Sequence, residues 1–389
     1  MPMTIQTDYK KWTETMEFID LKSQYRAYKQ EFDNAVSKVI SDTTFIGGEH
    51  VSMLEAELAS YVGVKHCISC GNGTDALQLI YMAHEIGQGD AVFCPDMTFI
   101  ASVEPAAMLG ATPVFVDIDP VSYNINPYAL EKRIEETRRE GKVVPRAVVA
   151  VDFLGNPADY DKLADICDAY DLLLIEDAAQ GIGGIYKGQM LGSLGDIAAT
   201  SFFPSKPLGC YGDGGAVFTD NDQAANIIRS LKVHGKGATK YDNIRIGINS
   251  RLDNLQAGIL RVKLSHLEDE MRARQTIAGI YDEMLGNSII TPHIGENCRS
   301  AYAQYILLAD DESQRETIME RLKARHIPSL IYYPKCLHAM RAFENCDSRS
   351  FPISESYASR NFGLPFSPYL NKSDQESVVN TVLEAIQKP

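Results

Sequence analysis

The chain contains no apolar run near the roughly 20 residues that a membrane-spanning helix needs. Its opening stretch, MPMTIQTDYKKWTETMEF, has no apolar centre of the kind a secretory signal carries. Both gaps point to a soluble, cytoplasmic protein. Cysteine is thin: eight residues scattered over 389, not packed into a short framework, which excludes a disulfide-stapled scaffold and suits a reducing compartment. Cys67 and Cys70 form a CxxC with no second pair at zinc-finger spacing. Both lie in the apolar run HCISC, so they read as buried strand positions, and no metal site is expected. Positive charge is short as well. Lys and Arg number 37 against 52 Asp and Glu, so the net charge is 37 − 52 = −15. Repulsion at that charge weighs against nucleic acid as a partner, while leaving room for a locally basic pocket. No internal repeat or low-complexity tract is present.

What is there is an ordinary folding composition, 45% hydrophobic and 23% charged. The length implies a large domain with a smaller appendage. Residues 1–16 are polar and unpatterned and read as a loose extension. Helical periodicity follows over 21–40 and 53–62. Short apolar runs then alternate with helix-compatible segments: HCISC (66–70), AVFCP (91–95), PVFVDI (113–118), AVVAVDF (147–153) and LLLIEDA (172–178), with helices expected at 75–85, 100–109, 127–139 and 158–169. Strands apolar on both faces alternating with helices imply an α/β fold with a largely parallel, helix-covered sheet. IAATSFF (197–203) and GGAVFTD (214–220) are too close for a helical crossover and should pair antiparallel. A long helix is expected from 253 to 285. Beyond it, AYAQYILLA, a helix at 313–325, PSLIYYP and a helix at 373–387 read as a smaller α+β domain. The expected division is a large domain over 17–265 and a small one over 266–389.

Three pieces carry chemistry. GNGTDALQL (71–79) follows a strand and opens a helix, so the N–H groups near Gly73, Thr74 and Asp75 suit a phosphate. An ordinary cap by Thr74 or Asn72 is the plainer reading. Asp177 closes LLLIED at the carboxyl end of a buried strand, where ligands gather in open α/β sheets, although a helix-capping aspartate would look the same. Lys206 lies in SFFPSKPLG, where Pro204, Pro207 and Gly209 stiffen the loop and apolar neighbours surround the amine. Burial favours the neutral amine that a Schiff base requires, and a lysine reaching out from an exposed loop is the alternative. Ser201, five residues earlier at a strand end, could donate to a phosphate oxygen. In series, strand–GT–helix, strand-end Asp and Ser-x-x-x-x-Lys form the order of a fold-type I enzyme using pyridoxal 5′-phosphate.

At this point the chain resembles the DegT-type sugar aminotransferases, which act on nucleotide-linked keto-sugars. The resemblance runs from FIDL (18–21) to the C-terminal helix, through GNGTDAL, PDMTFIAS, GATPVFVDID, EDAAQ, SFFPSKPLG, GDGGAVFT and GINSRLDNLQA. It implies an aspartate aminotransferase-like fold and a homodimer with shared active sites. SFFPSKPLGCYGDGGA and NSRLD look most like the enzymes that make UDP-linked 2-acetamido-3-amino-glucuronate for bacterial surface polysaccharide such as O-antigen. The resemblance casts Lys206 as the Schiff-base lysine and Asp177 as the partner of the pyridine nitrogen. Gln180 would lie beside the cofactor's 3′-oxygen and Phe99 on the ring face. Gly73, Thr74 and Ser201 would hold the phosphate, completed by Asn249 of the neighbouring subunit. Arg251 would pair with a sugar carboxylate or with phosphates, a surface or interface salt bridge being its other reading. Ser205, Tyr332, Tyr333 and Phe45 would meet the sugar nucleotide.

The chain departs from that family at two of these positions. The family commonly reads His-Tyr-Pro where this chain has Tyr332-Tyr333-Pro334, and the enzymes it resembles carry tyrosine where it has Phe45. A subgroup that dehydrates sugars replaces the lysine with histidine, which Lys206 argues against. The expected reaction moves the amine of L-glutamate to C3 of UDP-2-acetamido-3-oxo-glucuronate. The alternatives are amination of a dTDP- or UDP-linked keto-6-deoxy sugar, and a cofactor-binding regulator without turnover.

Overall fold

The computed structural model describes residues 16–239, 241–344, 346 and 349–387. Apart from Met16, the expected N-terminal extension lies outside them. Five strands come first: β1 (His66–Cys70), β2 (Asp90–Pro95), β3 (Thr112–Val116), β4 (Val144–Val151) and β5 (Leu173–Asp177). A short hairpin of β6 (Ile185–Tyr186) and β7 (Gln189–Met190) precedes β8 (Ile197–Ser201) and β9 (Gly215–Thr219). Seven of these form the central sheet in the order β1-β9-β8-β5-β4-β2-β3. Neighbours from β3 to β8 pair parallel, whereas β9 runs against both β8 and β1. The close pair expected over 197–203 and 214–220 is β8 and β9, with Ala199 opposite Val217.

The two-residue side-chain period explains why these strands read as unbroken apolar runs. Along β4, Ala147, Val149 and Val151 pack on the side of the helix Gly73–Ala83. Val148 and Ala150 pack on the opposite side, against the helices Pro127–Glu140 and Tyr160–Tyr170. Neither face meets water, so apolar residues dominate both. Cys67 and Cys70 are buried in β1, as their apolar neighbours imply.

The helix Asn254–Leu285 carries two cores. Ala257, Leu260, Leu267 and Met271 pack beneath the sheet with Ala216 and Phe218. Further along, Ile277, Ala278, Tyr281 and Leu285 join a second core with the C-terminal elements. There β10 (Cys298–Arg299) extends the β6–β7 hairpin, and β11 (Tyr305–Leu308) pairs antiparallel with β12 (Asn361–Leu364). Helices Glu312–Ala324 and Lys372–Gln387 cover that pair. One unbroken helix therefore runs through residues 265 and 266.

Several boundaries differ from the periodicity. The stretch 21–40 is two helices, Leu21–Ala27 and Lys29–Asp42, broken at Tyr28, whose φ of −118° and ψ of 23° leave the helical region. The segment 100–109 is a 3-10 turn, Ile100–Ser102, followed by the helix Glu104–Met108, whose first turn accepts Pro105 because N–H groups there have no partner within the helix. PSLIYYP forms no strand and makes a single bridge, Leu330 to Gly363. The helices Asp222–Leu231 and Pro352–Arg360 were not anticipated. Among the described residues no helix is long and apolar enough to cross a membrane.

Candidate active site

A cavity of about 420 Å³ opens where β4, β5 and β8 end, as the rule for open parallel sheets anticipates. Val151, Asp177 and Ser201, the last residues of those strands, line it, and the helix Gly73–Ala83 points its first turn at it. The Asn72 side chain accepts the Asp75 N–H at 2.8 Å, so the plain capping reading is correct for Asn72. The cap uses one donor only, and the N–H groups of Gly73 and Thr74 have no carbonyl within the helix to reach. Glycine at 73 is a steric requirement: a Cβ there would lie 2.7 Å from the Ser201 Cβ. Gly215 serves the same junction from beneath, since its Cβ would meet the Asn72 carbonyl carbon at 2.4 Å. The backbone of one element thus sits against the hydroxyl-bearing residue of another, with Thr74 beside them.

Asp177 is 5% exposed. Its Oδ2 accepts the Ser102 hydroxyl at 2.7 Å, Ser102 is in turn 2.9 Å from the Thr98 hydroxyl, and Oδ1 accepts the Ala179 N–H at 3.2 Å. It is no helix cap. Burial pushes its pKa up, and the Ser102 hydroxyl, the Ala179 N–H and the charge of Lys206 pull it back. Lys206 is half-buried on the same cavity, held by its backbone N–H to the Phe203 carbonyl at 2.8 Å. Burial pushes its pKa down, against the pull of Asp177. Desolvation outweighs their mutual attraction at both ends. The lysine does not reach out from an exposed loop.

Gln180 lines the cavity beside them with its amide orientation fixed: Oε1 accepts the Leu154 N–H at 2.9 Å, and Nε2 donates to Gln304 Oε1 at 3.0 Å. That leaves the second hydrogen of the amide nitrogen as a donor. Phe99 keeps 54% of its surface exposed at the cavity wall, 5.9 Å from the Tyr333 ring. Tyr332, Tyr333 and Ser205 complete the lining. Phe45, Asn249 and Arg251 do not line it. Phe45 is 47% exposed, and Asn249 and Arg251 are exposed on either side of the buried Ser250, whose hydroxyl ties Asp75 and the Gly71 N–H together. Ser102, Thr98 and Gln304 escaped the sequence reading. Thr98 and Ser102 carried a signal, as polar residues inside the quoted PDMTFIAS, and Gln304 carried none.

These residues fit pyridoxal 5′-phosphate. A helix N-terminus stripped of Cβ bulk and backed by Ser201 suits a phosphate, and an exposed aromatic face suits a ring. A buried carboxylate and a desolvated lysine on one cavity suit a cationic ring nitrogen and an amine nucleophile.

A sequence model of the DegT/DnrJ/EryC1/StrS aminotransferase family matches residues 26–383. The chain is 43% identical over 357 residues to a UDP-2-acetamido-2-deoxy-3-oxo-D-glucuronate aminotransferase of Pseudomonas aeruginosa, covering 92% of this chain and 96% of that one. It is 38% identical to a dTDP-3-amino-3,6-dideoxy-alpha-D-galactopyranose transaminase of Aneurinibacillus thermoaerophilus, covering 94% and 98%. A crystal structure of a DegT DnrJ EryC1 StrS aminotransferase from Brucella abortus superposes with a TM-score of 0.94 at 45% identity, covering 96% of this chain and all of that one.

Proposed function

The chain belongs to the DegT/DnrJ/EryC1/StrS aminotransferase family, and from that premise we propose that it transfers the amino group of L-glutamate to C3 of UDP-2-acetamido-3-oxo-glucuronate, for bacterial surface polysaccharide. The observation that carries the chemistry is that Lys206 and buried Asp177 line one cavity at the strand ends. When bound, pyridoxal 5′-phosphate supplies a conjugated sink for the electrons released as a C–H bond beside the nitrogen breaks. Asp177 would hold the ring nitrogen, and Ser102 keeps that carboxylate oriented. A hydrogen bond to a charged group of this kind contributes about 1.5–3 kcal/mol. Gly73, Thr74 and Ser201 would take the phosphate, Phe99 the ring face and Gln180 the 3′-oxygen. Lys206 Nζ, whose ammonium form burial disfavours, would accept the proton lost by the donor's carbon and return it on the far side of the transfer.

The substrate assignment follows the 43% relative and Arg251, whose guanidinium would match a uronate carboxylate. Asn249, Arg251 and Phe45 lie exposed outside the cavity, so we propose that a second copy of the chain brings them to it in a homodimer. A keto-6-deoxy sugar is the second reading. The cavity lining, among the described residues, contains no arginine, and the 38% relative is named for a dideoxy sugar. The test reads the visible absorption of protein loaded with pyridoxal phosphate. L-glutamate should convert the band, and candidate keto-sugars are ranked by how fast they restore it. Arg251→Ala should slow the uronate by about tenfold or more and the 6-deoxy sugar little. Equal losses would favour the 6-deoxy reading.

A further inference from the structure

We propose that Asp96 and His338 form a clamp that sets the Tyr332–Tyr333 wall of the cavity against Phe99, making His338 a positioning residue for the sugar-nucleotide acceptor. Asp96 follows the last residue of β2, has no exposed surface, and is tied to the sheet through its N–H, which donates to the Val116 carbonyl at 2.8 Å. Thr98 and Phe99, two and three residues on, line the cavity. From far along the chain three bonds converge on Asp96. The Leu337 N–H reaches its carbonyl at 2.8 Å, the His338 N–H reaches Oδ1 at 2.9 Å, and His338 Nδ1 lies 2.7 Å from Oδ2. The imidazole is held on its other side by Glu355, 3.6 Å from Nε2, and packs 5.0 Å from the Phe351 ring.

The strip between is pinned at its opposite end by Asn361. That side chain accepts the Tyr332 N–H at 2.8 Å and donates to the Tyr333 carbonyl at 3.3 Å. Tyr333 then lies 5.9 Å from Phe99 and 6.2 Å from Phe153. One end of the wall is therefore fixed to the C-terminal strands, and the other to the strand end that carries Phe99. A buried carboxylate needs a partner, and His338 is the one that spans the two parts. Asp96, Cys336 and His338 also bring ligand atoms within 4.8 Å of one another. Both carboxylate oxygens are already engaged by His338, however, and the trio closes as a hydrogen-bonded knot.

The inference rests on the reading above only for the acceptor's identity. In holoenzyme loaded with pyridoxal phosphate, His338→Ala should speed amide exchange across residues 329–337 by about tenfold or more. It should raise the acceptor KM by about tenfold and leave the L-glutamate half-reaction within about twofold of wild type. His338→Asn, whose amide nitrogen falls where Nδ1 sits, should recover both. His338→Gln, whose nitrogen falls at the Nε2 place, should behave as the alanine variant and serves if that one does not fold. Unchanged exchange, or equal losses in the two half-reactions, would overturn the clamp. If wild type accepts no UDP-linked keto-sugar, the substrate reading falls, and the exchange contrast among the three variants still decides the clamp.

Discussion

Lys206 and Lys263 are both taken out of water, and of this pair Lys206 alone has room in front of it. Lys206 opens onto a cavity of about 420 Å³ that Asp177 also lines. Lys263, on the long helix, is 4% exposed and sits with its Nζ 4.6 Å from the centre of the Tyr211 ring. Burial lowers both pKa values, that of Lys263 to about 8, with Glu270 and Cys210 opposing the shift. A lysine whose pKa burial lowers is therefore no mark of a site by itself. What separates Lys206 is empty volume, a buried carboxylate with its own hydroxyl partner, and a helix N-terminus across the space.

That contrast is open to attack from either side. Lys206→Ala should cut transamination about ten-thousandfold in a coupled glutamate assay, while Lys263→Met leaves turnover within a few-fold. Comparable losses would erase the distinction. Asp177→Asn removes the charge without removing volume and should cost about a hundredfold to a thousandfold in kcat, read in the same assay. Gly73→Ala should weaken pyridoxal phosphate binding about tenfold in an equilibrium titration, because the added methyl must displace Ser201.

The smallest effect concerns Lys263 itself. Its folded pKa lies below the unfolded value, so between about pH 8 and 10.5 the unfolded chain binds more protons and stability rises with pH. The burial penalty is thus full below pH 8 and fades above it. Lys263→Met should stabilise the fold by about 1–3 kcal/mol at pH 7 in urea unfolding, with the gain shrinking by pH 9.5. A gain that does not change with pH would mean that the methionine acts by packing alone.

The same contrast marks what could be read in the chain. Asp177 and Lys206 were legible because local context betrays them: a carboxylate ending an apolar strand, and a lysine between prolines and glycine. Strand–helix alternation gave the sheet for the same reason, since burial on both faces leaves an unbroken apolar signature. Lys263 was not legible as buried, because the inner face of its helix also holds Glu270 and Arg274, and periodicity counts all three as surface. Ser102 and Gln304 matter through contacts with Asp177 and Gln180, which residue type does not announce. No role for His338 can be read from the sequence, because its partner, Asp96, lies 242 positions away. Phe45, Asn249 and Arg251 were named from the family resemblance, and a single chain leaves them exposed.

The most direct test of the central claim is to load the protein with pyridoxal phosphate, reduce with borohydride, and map the modified peptide by mass spectrometry. The account predicts a single pyridoxyl adduct on Lys206. An adduct on Lys263 or another lysine, or none after full loading, would contradict it.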